Sequence, residues 1–336
     1  MKTESILTSF GEILEECIEG KTKWGIEYKK TCTLAETENP WFVKTFIDKM
    51  LSSWYKILNQ ENISKWLDNK EPTKKPKNIG VISAGNIPIV GLHDLISVLI
   101  SGHNYIGKMS SKDSILPIFI RKIFIALNPE FEQKITMTNS RLENYDAIIA
   151  TGSNNSSRYF EYYFNNVPNI IRKNRSSIAI INNQTTDNQI KKLADDIFLY
   201  FGLGCRNVSK IYIPENFELN KFFENLFHYN WVRNHNKYAN NYEYNKAIYL
   251  MNLTKHYDNG FILLKEDSGF SSPIGVLFYE KYHKESVLRQ ELDIHSDKLQ
   301  CIVSESNKDI NFGETQFPQL WEYADGINTL NFLLNL

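Results

Sequence analysis

An α/β fold built on a doubly wound, mostly parallel sheet is the architecture this sequence predicts, and three observations carry it. Short β-rich runs alternate with helix-period segments between residues 79 and 213. Small-residue loops leave several of those runs, at the strand ends where such folds place their binding crevice. A length of 336 residues with 42% hydrophobic content is enough to bury a large core without disulfide or metal staples.

Residues 1 to about 70 read as helical, because Ile6, Phe10, Ile13 and Leu14, and then Phe42, Phe46, Met50 and Leu51, recur at helical spacing. Glu71-Pro72-Thr73-Lys74-Lys75-Pro76-Lys77 is a polar, proline-bearing surface link. The rhythm then begins with a strand at 79–83, a Gly85-Asn86 loop and a helix from about 91 to 100. It continues with a strand at 105–109, a helix at 115–127, a strand at 147–151 and a helix at 156–164. Residues 177–181 and 210–213 supply further β-rich runs.

Beyond Pro214 a helix fits 219–229, strands fit 275–279 and 299–304, and the apolar tail 320–336 is expected to dock. The segment 234–242, polar and aromatic without clear period, reads first as a flexible loop, with a substrate-side surface as the alternative. No internal repeat is present.

Lysine plus arginine number 38 against 39 aspartates and glutamates, a net charge of -1, so the balance points to neither nucleic acid nor a membrane surface. The four cysteines, Cys17, Cys32, Cys205 and Cys301, lack the C-x-x-C spacing of a zinc or redox site, and no metal is expected. Met1-Lys2-Thr3-Glu4-Ser5 leads into an acidic amphipathic stretch instead of a signal peptide, so a cytoplasmic setting with reduced thiols is expected. The most apolar window, 79–100, is broken by Asn86, His93 and Asp94, short of the roughly 20 clean apolar residues of a membrane span.

Four loops can carry chemistry. Ser83-Ala84-Gly85-Asn86-Ile87-Pro88 holds Asn86 at a strand's carboxyl end between a turn-permitting glycine and a stiffening proline, although a turn-forming asparagine is the ordinary reading. Gly107-Lys108-Met109-Ser110-Ser111-Lys112 offers a cation and paired hydroxyls suited to ribose and an adenosine phosphate, or simply solvated lysines. Ala150-Thr151-Gly152-Ser153-Asn154-Asn155 ends a strand and opens a helix, which suits an anion; capping by Ser153 or Asn154 is the commoner use of such a turn. Gly202-Leu203-Gly204-Cys205 leaves the backbone open around a thiol, as a nucleophile with free neighbouring N–H groups requires, while a buried structural cysteine is the usual fate of the residue type. No G-x-G-x-x-G follows a strand.

Taken in order, these loops resemble the aldehyde dehydrogenase superfamily, and in particular its acyl-CoA reductase branch, the LuxC-type fatty acyl reductases. The resemblance runs from about residue 79 to the C-terminus. Asn86 matches the asparagine of the family's Asn-x-Pro oxyanion loop, and Lys108, 22 residues on, the lysine that binds the adenosine ribose. Thr151-Gly152-Ser153 is similar to the T-G-S turn beneath the cofactor pyrophosphate. Cys205, 53 residues after Gly152, falls where the nucleophile belongs, with Lys210 at the basic position five residues beyond it.

What the resemblance implies is an aldehyde-dehydrogenase-like fold, shortened, with a doubly wound cofactor lobe and a smaller α/β catalytic lobe. The corresponding domains are an N-terminal helical region at 1–78, a nicotinamide cofactor domain at 79–200, a catalytic domain at 201–305 and a C-terminal segment at 306–336 returning to the cofactor lobe. The implied enzyme is an NADP-dependent oxidoreductase of fatty acid metabolism, acting at the aldehyde or oxo group and forming an aldehyde from acyl-CoA through an acyl-cysteine.

Two departures shape that expectation. Oxidising members have a glutamate base in an E-L-G-G-K-like segment, where this chain has Arg172-Lys173-Asn174-Arg175-Ser176-Ser177. Without an activated water an acyl-enzyme persists long enough for reduction, and Arg172 and Arg175 are left to face solvent or bind CoA phosphates. The glutamate that often follows the ribose lysine in NAD-preferring relatives is here Ser111, beside Lys112, which favours NADPH.

The resemblance leaves cofactor contacts to Lys108, Ser110, Ser111, Thr151, Gly152 and Ser153, with Glu266 as an echo of a distal ribose-binding glutamate in Glu266-Asp267-Ser268-Gly269-Phe270-Ser271-Ser272-Pro273. A homo-oligomer and an acyl-carrier or acyl-activating partner are compatible with it. So are an NAD(P)-dependent aldehyde oxidiser, a reductase of acyl-phosphate or carrier-bound acyl groups, and, from another class, an inactive scaffolding subunit. His93 and His103 flank the first helix after Asn86 and are either bases near the crevice or, more commonly, structural histidines. Tyr159-Phe160-Glu161-Tyr162-Tyr163-Phe164 is either an acyl-tunnel wall or the packing face of a helix.

Overall fold

Among the described residues four helices precede the first strand: α1 (Thr3–Glu19), α2 (Lys23–Glu38), α3 (Lys44–Ile57) and α4 (Gln60–Leu67). Each forms for a local reason and is kept by packing. Thr22 and Asn59 accept the amides of Gly25 and Asn62, capping α2 and α4. Ile6, Phe10 and Leu14 of α1 and Phe46, Met50 and Leu51 of α3 are buried, as their spacing predicts. The computed structural model describes residues 3–68 and 70–336. Met1 and Lys2 of the leader reading, and Asn69 within the expected helical region, lie outside the described residues.

The chain then alternates strand and helix: β1 (Asn78–Ile82), α5 (Leu92–Ile100), β2 (Asn104–Lys108), α6 (Leu116–Leu127), α7 (Phe131–Lys134), β3 (Ile135–Thr138), β4 (Ala147–Thr151), α8 (Asn154–Phe164) and β5 (Asn169–Arg172). All five strands are parallel, in the order β3-β2-β1-β4-β5. Apolar residues of the central strands, among them Ile79, Val81, Ile148 and Ile149, are almost wholly inaccessible, as expected for a parallel sheet covered on both faces. The direction of winding reverses between β1 and β4. The β1 and β4 loops therefore leave the same sheet edge at the switch point, where such folds bind ligands. α1 packs on α6, with Phe10 stacked on Phe124 at a centroid distance of 4.4 Å.

The second unit has its own sheet. Its elements are β6 (Ser176–Ile180), α9 (Asp187–Phe198), β7 (Val208–Pro214), α10 (Leu219–Leu226), α11 (Asn236–Met251), β8 (Tyr257–Asp258), β9 (Leu263–Glu266), β10 (Val276–Tyr282), α12 (Glu285–Ile294) and β11 (Leu299–Val303). The strand order is β11-β6-β7-β10-β9-β8, parallel except for the β8/β9 pair. Ile178, Ile180, Tyr212, Leu288, Leu292 and Leu299 form one of its core clusters.

Contacts divide the chain into residues up to 174 together with 319–336, and residues 175–318. The borders drawn on the sequence fell after 200 and after 305. They move because β6 pairs with β7 and β11, which commits β6 and the helix after it to the second sheet. The C-terminal helix α13 (Thr329–Leu334) packs on α5 in the first unit with Leu330 and Leu333 buried, so the tail docks as its composition suggested.

Two sequence expectations need correction. The segment 234–242, expected first as a loop, runs into α11, a 16-residue helix. Its buried residues are Tyr238, Tyr242, Asn245 and Tyr249, a stripe at helical spacing made of side chains that hydropathy scores as polar. Tyr238 Oη donates to the Phe261 carbonyl at 3.0 Å and Tyr242 Oη to Asp258, so the hydroxyls are satisfied inside. Arg172, expected to face solvent or CoA, is only 5% exposed. Its guanidinium grips both oxygens of Asp94 at 2.7 and 2.9 Å and donates to Thr329 Oγ1 at 2.9 Å.

Removing one member of a buried ion pair strands the other. Arg172→Ala is expected to lower the unfolding free energy by about 3–5 kcal/mol, and replacing Arg172 and Asp94 together by apolar residues to cost much less. Urea unfolding of the three proteins checks this.

Candidate active site

Three of the four chemistry-bearing loops leave the carboxyl edge of the first sheet. After β1 comes the Asn86 loop, whose path is set by two residues in the left-handed region, Gly85 at φ 66° and Ile89 at φ 44°. A Cβ on Gly85 would collide with the Ser110 side chain, so glycine is required there by both conformation and space. Ser110 Oγ donates to the Ala84 carbonyl at 3.2 Å, and the Ile89 amide donates to Asp113 Oδ2 at 2.7 Å. Asn86 itself is half-buried.

Lys108 ends β2 half-buried and donates to the Ser140 carbonyl at 3.4 Å. Ser111 and Lys112 are exposed just beyond it. After β4, Gly152 turns the chain so tightly that a Cβ would stand 2.8 Å from Ser156 Cβ and 2.9 Å from the Phe160 ring. The Gly152 amide donates to the Arg172 carbonyl at 3.2 Å, and Ser153 caps α8 by accepting the Ser156 amide. The capping use of Ser153 is thus realised. Between β1, β2 and α8 lies a pocket open to solvent and lined by Ile82, Lys108, Arg141, Tyr145, Tyr159 and Phe160 among others. Arg141, which sequence reading did not single out, brings an exposed second cation to a wall otherwise aliphatic and aromatic.

The fourth loop belongs to the second unit and enters β7 at its amino end. Cys205 is exposed, whereas Cys17, Cys32 and Cys301 are buried, and none of the four is in a disulfide. Burial pushes the Cys17 thiol up to about 12 and the Cys32 thiol to about 11, which keeps both protonated and inert at neutral pH.

The backbone before Cys205 is strained. Tyr200 and Phe201, both buried, hold φ 55°, a left-handed conformation that costs a non-glycine residue about 1–2 kcal/mol. Asn207, 3% exposed, locks the turn that follows. Its Oδ1 accepts the Gly204 amide at 2.8 Å, and its Nδ2 donates to the carbonyls of Asp196 at 3.0 Å and Leu199 at 2.9 Å. Ser177 Oγ donates to the Cys205 carbonyl at 2.9 Å. Nothing local in the sequence distinguishes Asn207 from its neighbours, because its partners lie in α9 and the turn after it.

Other candidates resolve into structural roles or stand apart. Glu266 is exposed at the carboxyl end of β9, with Tyr279 Oη 3.4 Å from its carboxylate. Lys210 is fully buried in β7, paired with Glu280 at 2.7 Å and set over the Tyr212 ring. His103 accepts the Lys77 amide at Nδ1 and meets the Leu333 carbonyl at Nε2, which fixes a neutral tautomer, and burial lowers its pKa. His93 binds the Leu320 carbonyl at 2.9 Å within a cage of Trp54, Trp66 and Tyr323. Both are structural histidines. Phe160 and Phe164 pack against Leu142, Ile148 and Ala150, while Tyr159, Tyr162 and Tyr163 are exposed, so the aromatic run is in part the packing face of α8.

Among the described residues no helix is long and apolar enough to cross a membrane, and no group of three His, Cys, Asp or Glu is placed to hold a metal ion.

The family model for acyl-CoA reductase (LuxC) matches residues 33–229, more than half of the chain. This protein belongs to the acyl-CoA reductase (LuxC) family. No curated protein matches it. Solved structures similar to this acyl-CoA reductase family member include aldehyde dehydrogenases. A variant of the P. syringae AldA indole-3-acetaldehyde dehydrogenase, in complex with NAD+ and IAA, aligns with a TM-score of 0.65 at 12% identity over 95% of this chain and 74% of that one. An aldehyde dehydrogenase from Bacillus cereus in complex with NAD+ gives 0.63 at 11% identity, over 92% and 73%. An NAD-dependent benzaldehyde dehydrogenase from Corynebacterium glutamicum gives 0.61 at 13% identity, over 91% and 76%. The fold of this LuxC-family chain is therefore that of aldehyde dehydrogenases, in shortened form.

Two outcomes follow from the geometry of these loops. In the native protein Cys205 should be alkylated by iodoacetamide faster than the three buried thiols by about a hundredfold or more, read by peptide mass spectrometry. Burial raises the Asp113 carboxyl from its ordinary value to about 7, so the folded state binds a proton more tightly than the unfolded chain. Stability from this group is full below about pH 4 and is lost as pH rises through about 7. Asp113→Asn should flatten that part of the profile, measured by urea unfolding between pH 4 and 8.

Proposed function

We propose that this protein reduces an acyl-CoA thioester to an aldehyde through an acyl-cysteine on Cys205, with NADPH as the reductant. The observation that carries the reading is the exposure of Cys205, alone of the four cysteines, on a strained and clamped loop in a chain of the acyl-CoA reductase family. Strain of that kind persists where surrounding contacts over-determine it, and it is concentrated at working sites.

In the proposed reaction the Cys205 thiolate attacks the thioester carbonyl carbon. The carbon–sulfur bond to CoA breaks and CoA leaves as its thiolate, which takes up a proton. The Asn86 side-chain amide and the Cys205 backbone N–H are assigned, by resemblance, to the oxyanion. NADPH supplies the hydride that the acyl carbon accepts. The thiohemiacetal on Cys205 then collapses, releasing aldehyde and restoring the thiolate. Hydrolysis of the acyl-enzyme is disfavoured because Arg172, where oxidising relatives carry a glutamate base, is a buried cation engaged by Asp94.

The residues of the first unit suit a phosphorylated dinucleotide. The Gly152 turn opens the N-terminus of α8, where backbone dipoles favour a pyrophosphate, and a side chain on Gly152 would fill that approach. Lys108 at the mouth of the aromatic pocket suits the ribose, and Tyr159 and Phe160 offer ring faces to adenine. Ser111 in place of a carboxylate, with Lys112 and Arg141 nearby in sequence or on the pocket wall, favours NADPH over NADH. Ser110 has its hydroxyl on the Ala84 carbonyl, which leaves Ser111 as the hydroxyl more available to a ligand. Thr151 and Ser153 flank the turn, and Glu266 is the candidate for the nicotinamide ribose.

The test is NADPH oxidation against acyl-CoAs of graded length, with the aldehyde identified. Cys205→Ala should abolish aldehyde formation, and Asn86→Ala should lower kcat by about 10²–10³. Near-normal aldehyde production by the Cys205→Ala protein would overturn the proposal.

A further inference from the structure

Both ends of the Asn86 loop are tied to one short turn, Ser110 to Asp113, which follows β2. At the near end Ser110 Oγ holds the Ala84 carbonyl and its side chain fills the space beside Gly85. At the far end Asp113 Oδ2 holds the Ile89 amide at 2.7 Å. The turn is itself closed by an antiparallel bridge between its two ends, with the Asp113 amide donating to the Ser110 carbonyl at 3.0 Å. Asn86 lies between the two attachments.

The chemistry of the far attachment is unusual. Ile89 is β-branched and buried yet sits at φ 44°, where such a residue is a rare outlier held by its surroundings. Asp113 is 6% exposed, and its second oxygen, Oδ1, has no hydrogen-bond partner. Burying a carboxyl carries a desolvation cost, which its hold on the Ile89 amide and the nearby Leu116 amide must offset. Asp113 also lines a small pocket shared with Gly85, Ile89, Lys108 and Ser110.

We propose that Asp113 is a positioning residue, which sets the backbone of the Asn86 loop through the Ile89 amide and so the aim of the Asn86 side chain. The inference rests on the reading of Asn86 as an oxyanion donor. Asp113 touches no reacting atom in this account. Its effect is geometric, and small displacements of a catalytic group are enough to cost about 10²-fold in rate.

The decisive experiment compares Asp113→Leu, Asp113→Asn, Asn86→Ala and the Asp113→Leu/Asn86→Ala double variant by steady-state reduction of acyl-CoA, with melting temperature and NADPH affinity measured alongside. Leucine removes the acceptor and leaves the buried Ile89 amide unpaired, so Asp113→Leu is expected to melt below the parent temperature, and kcat is compared at a temperature where every variant is folded. There the kcat of Asp113→Leu should fall by about tenfold to a hundredfold, with NADPH affinity unchanged. Asp113→Asn keeps an oxygen to accept the Ile89 amide and should stay within about threefold of the parent. In the Asn86→Ala background Asp113→Leu should cost nothing further. Additive losses, equal damage from asparagine and leucine, or a kcat loss that merely tracks melting temperature would overturn the inference while leaving the oxyanion reading intact. Normal turnover by Asn86→Ala would overturn that reading, and this inference with it.

Discussion

The pairing of Arg172 with Asp94 inside the first unit is the constraint on which much of that unit depends. A guanidinium and a carboxylate buried together are stable only when both carboxylate oxygens and the remaining donors are engaged. The two terminal nitrogens of Arg172 engage both oxygens of Asp94 and Thr329 Oγ1, and in doing so Arg172 joins three parts of the chain far apart in sequence. These are the end of β5, the first turn of α5 and the start of the C-terminal helix. The β5 end in turn receives the Gly152 amide at the Arg172 carbonyl, and α5 is the helix into which the Asn86 loop runs. Two loops with proposed chemical roles are thereby referred to one buried charge pair.

The same substitution bears on reaction type. A glutamate at the Arg172 position would be an acid–base group; an arginine committed to an internal carboxylate is a permanent cation with no proton to exchange. The chemistry proposed for the site, transfer of an acyl group between sulfur atoms followed by reduction, needs no such base. The fold and family are those of aldehyde dehydrogenases and acyl-CoA reductases, and this one internal pair separates the proposed task from oxidation to a free acid.

The second unit builds its loop by a different device. Two buried aromatic residues accept left-handed backbone, and Asn207 closes the following turn on the Gly204 amide and fastens it to the end of α9 with two further hydrogen bonds. Asp196, whose carbonyl receives Asn207, also takes the amides of Gly313 and Thr315 on its carboxylate, so the Cys205 turn and the 313–315 segment share one support. Rigid surroundings of this kind allow a thiol to be exposed without being mobile.

The sequence by itself determined the α/β class, the strands β1, β2 and β4, and the order of the four loops, because long apolar runs bounded by glycine turns have few other conformations open to them. It also marked Cys205 as the accessible thiol. What escaped it depends on partners remote in the chain. The four-residue strands β3 and β5 are too short to show a period and exist because neighbours pair with them. Helix α11 hides its buried stripe in tyrosines whose hydroxyls find acceptors only after folding. The unit border at 174 follows from which sheet β6 joins. Tertiary structure alone decided that Arg172 turns inward, that His93 and His103 are structural, and that Asp113 and Asn207 hold the proposed catalytic loops, since each of these outcomes is a hydrogen bond to a residue that no local pattern names.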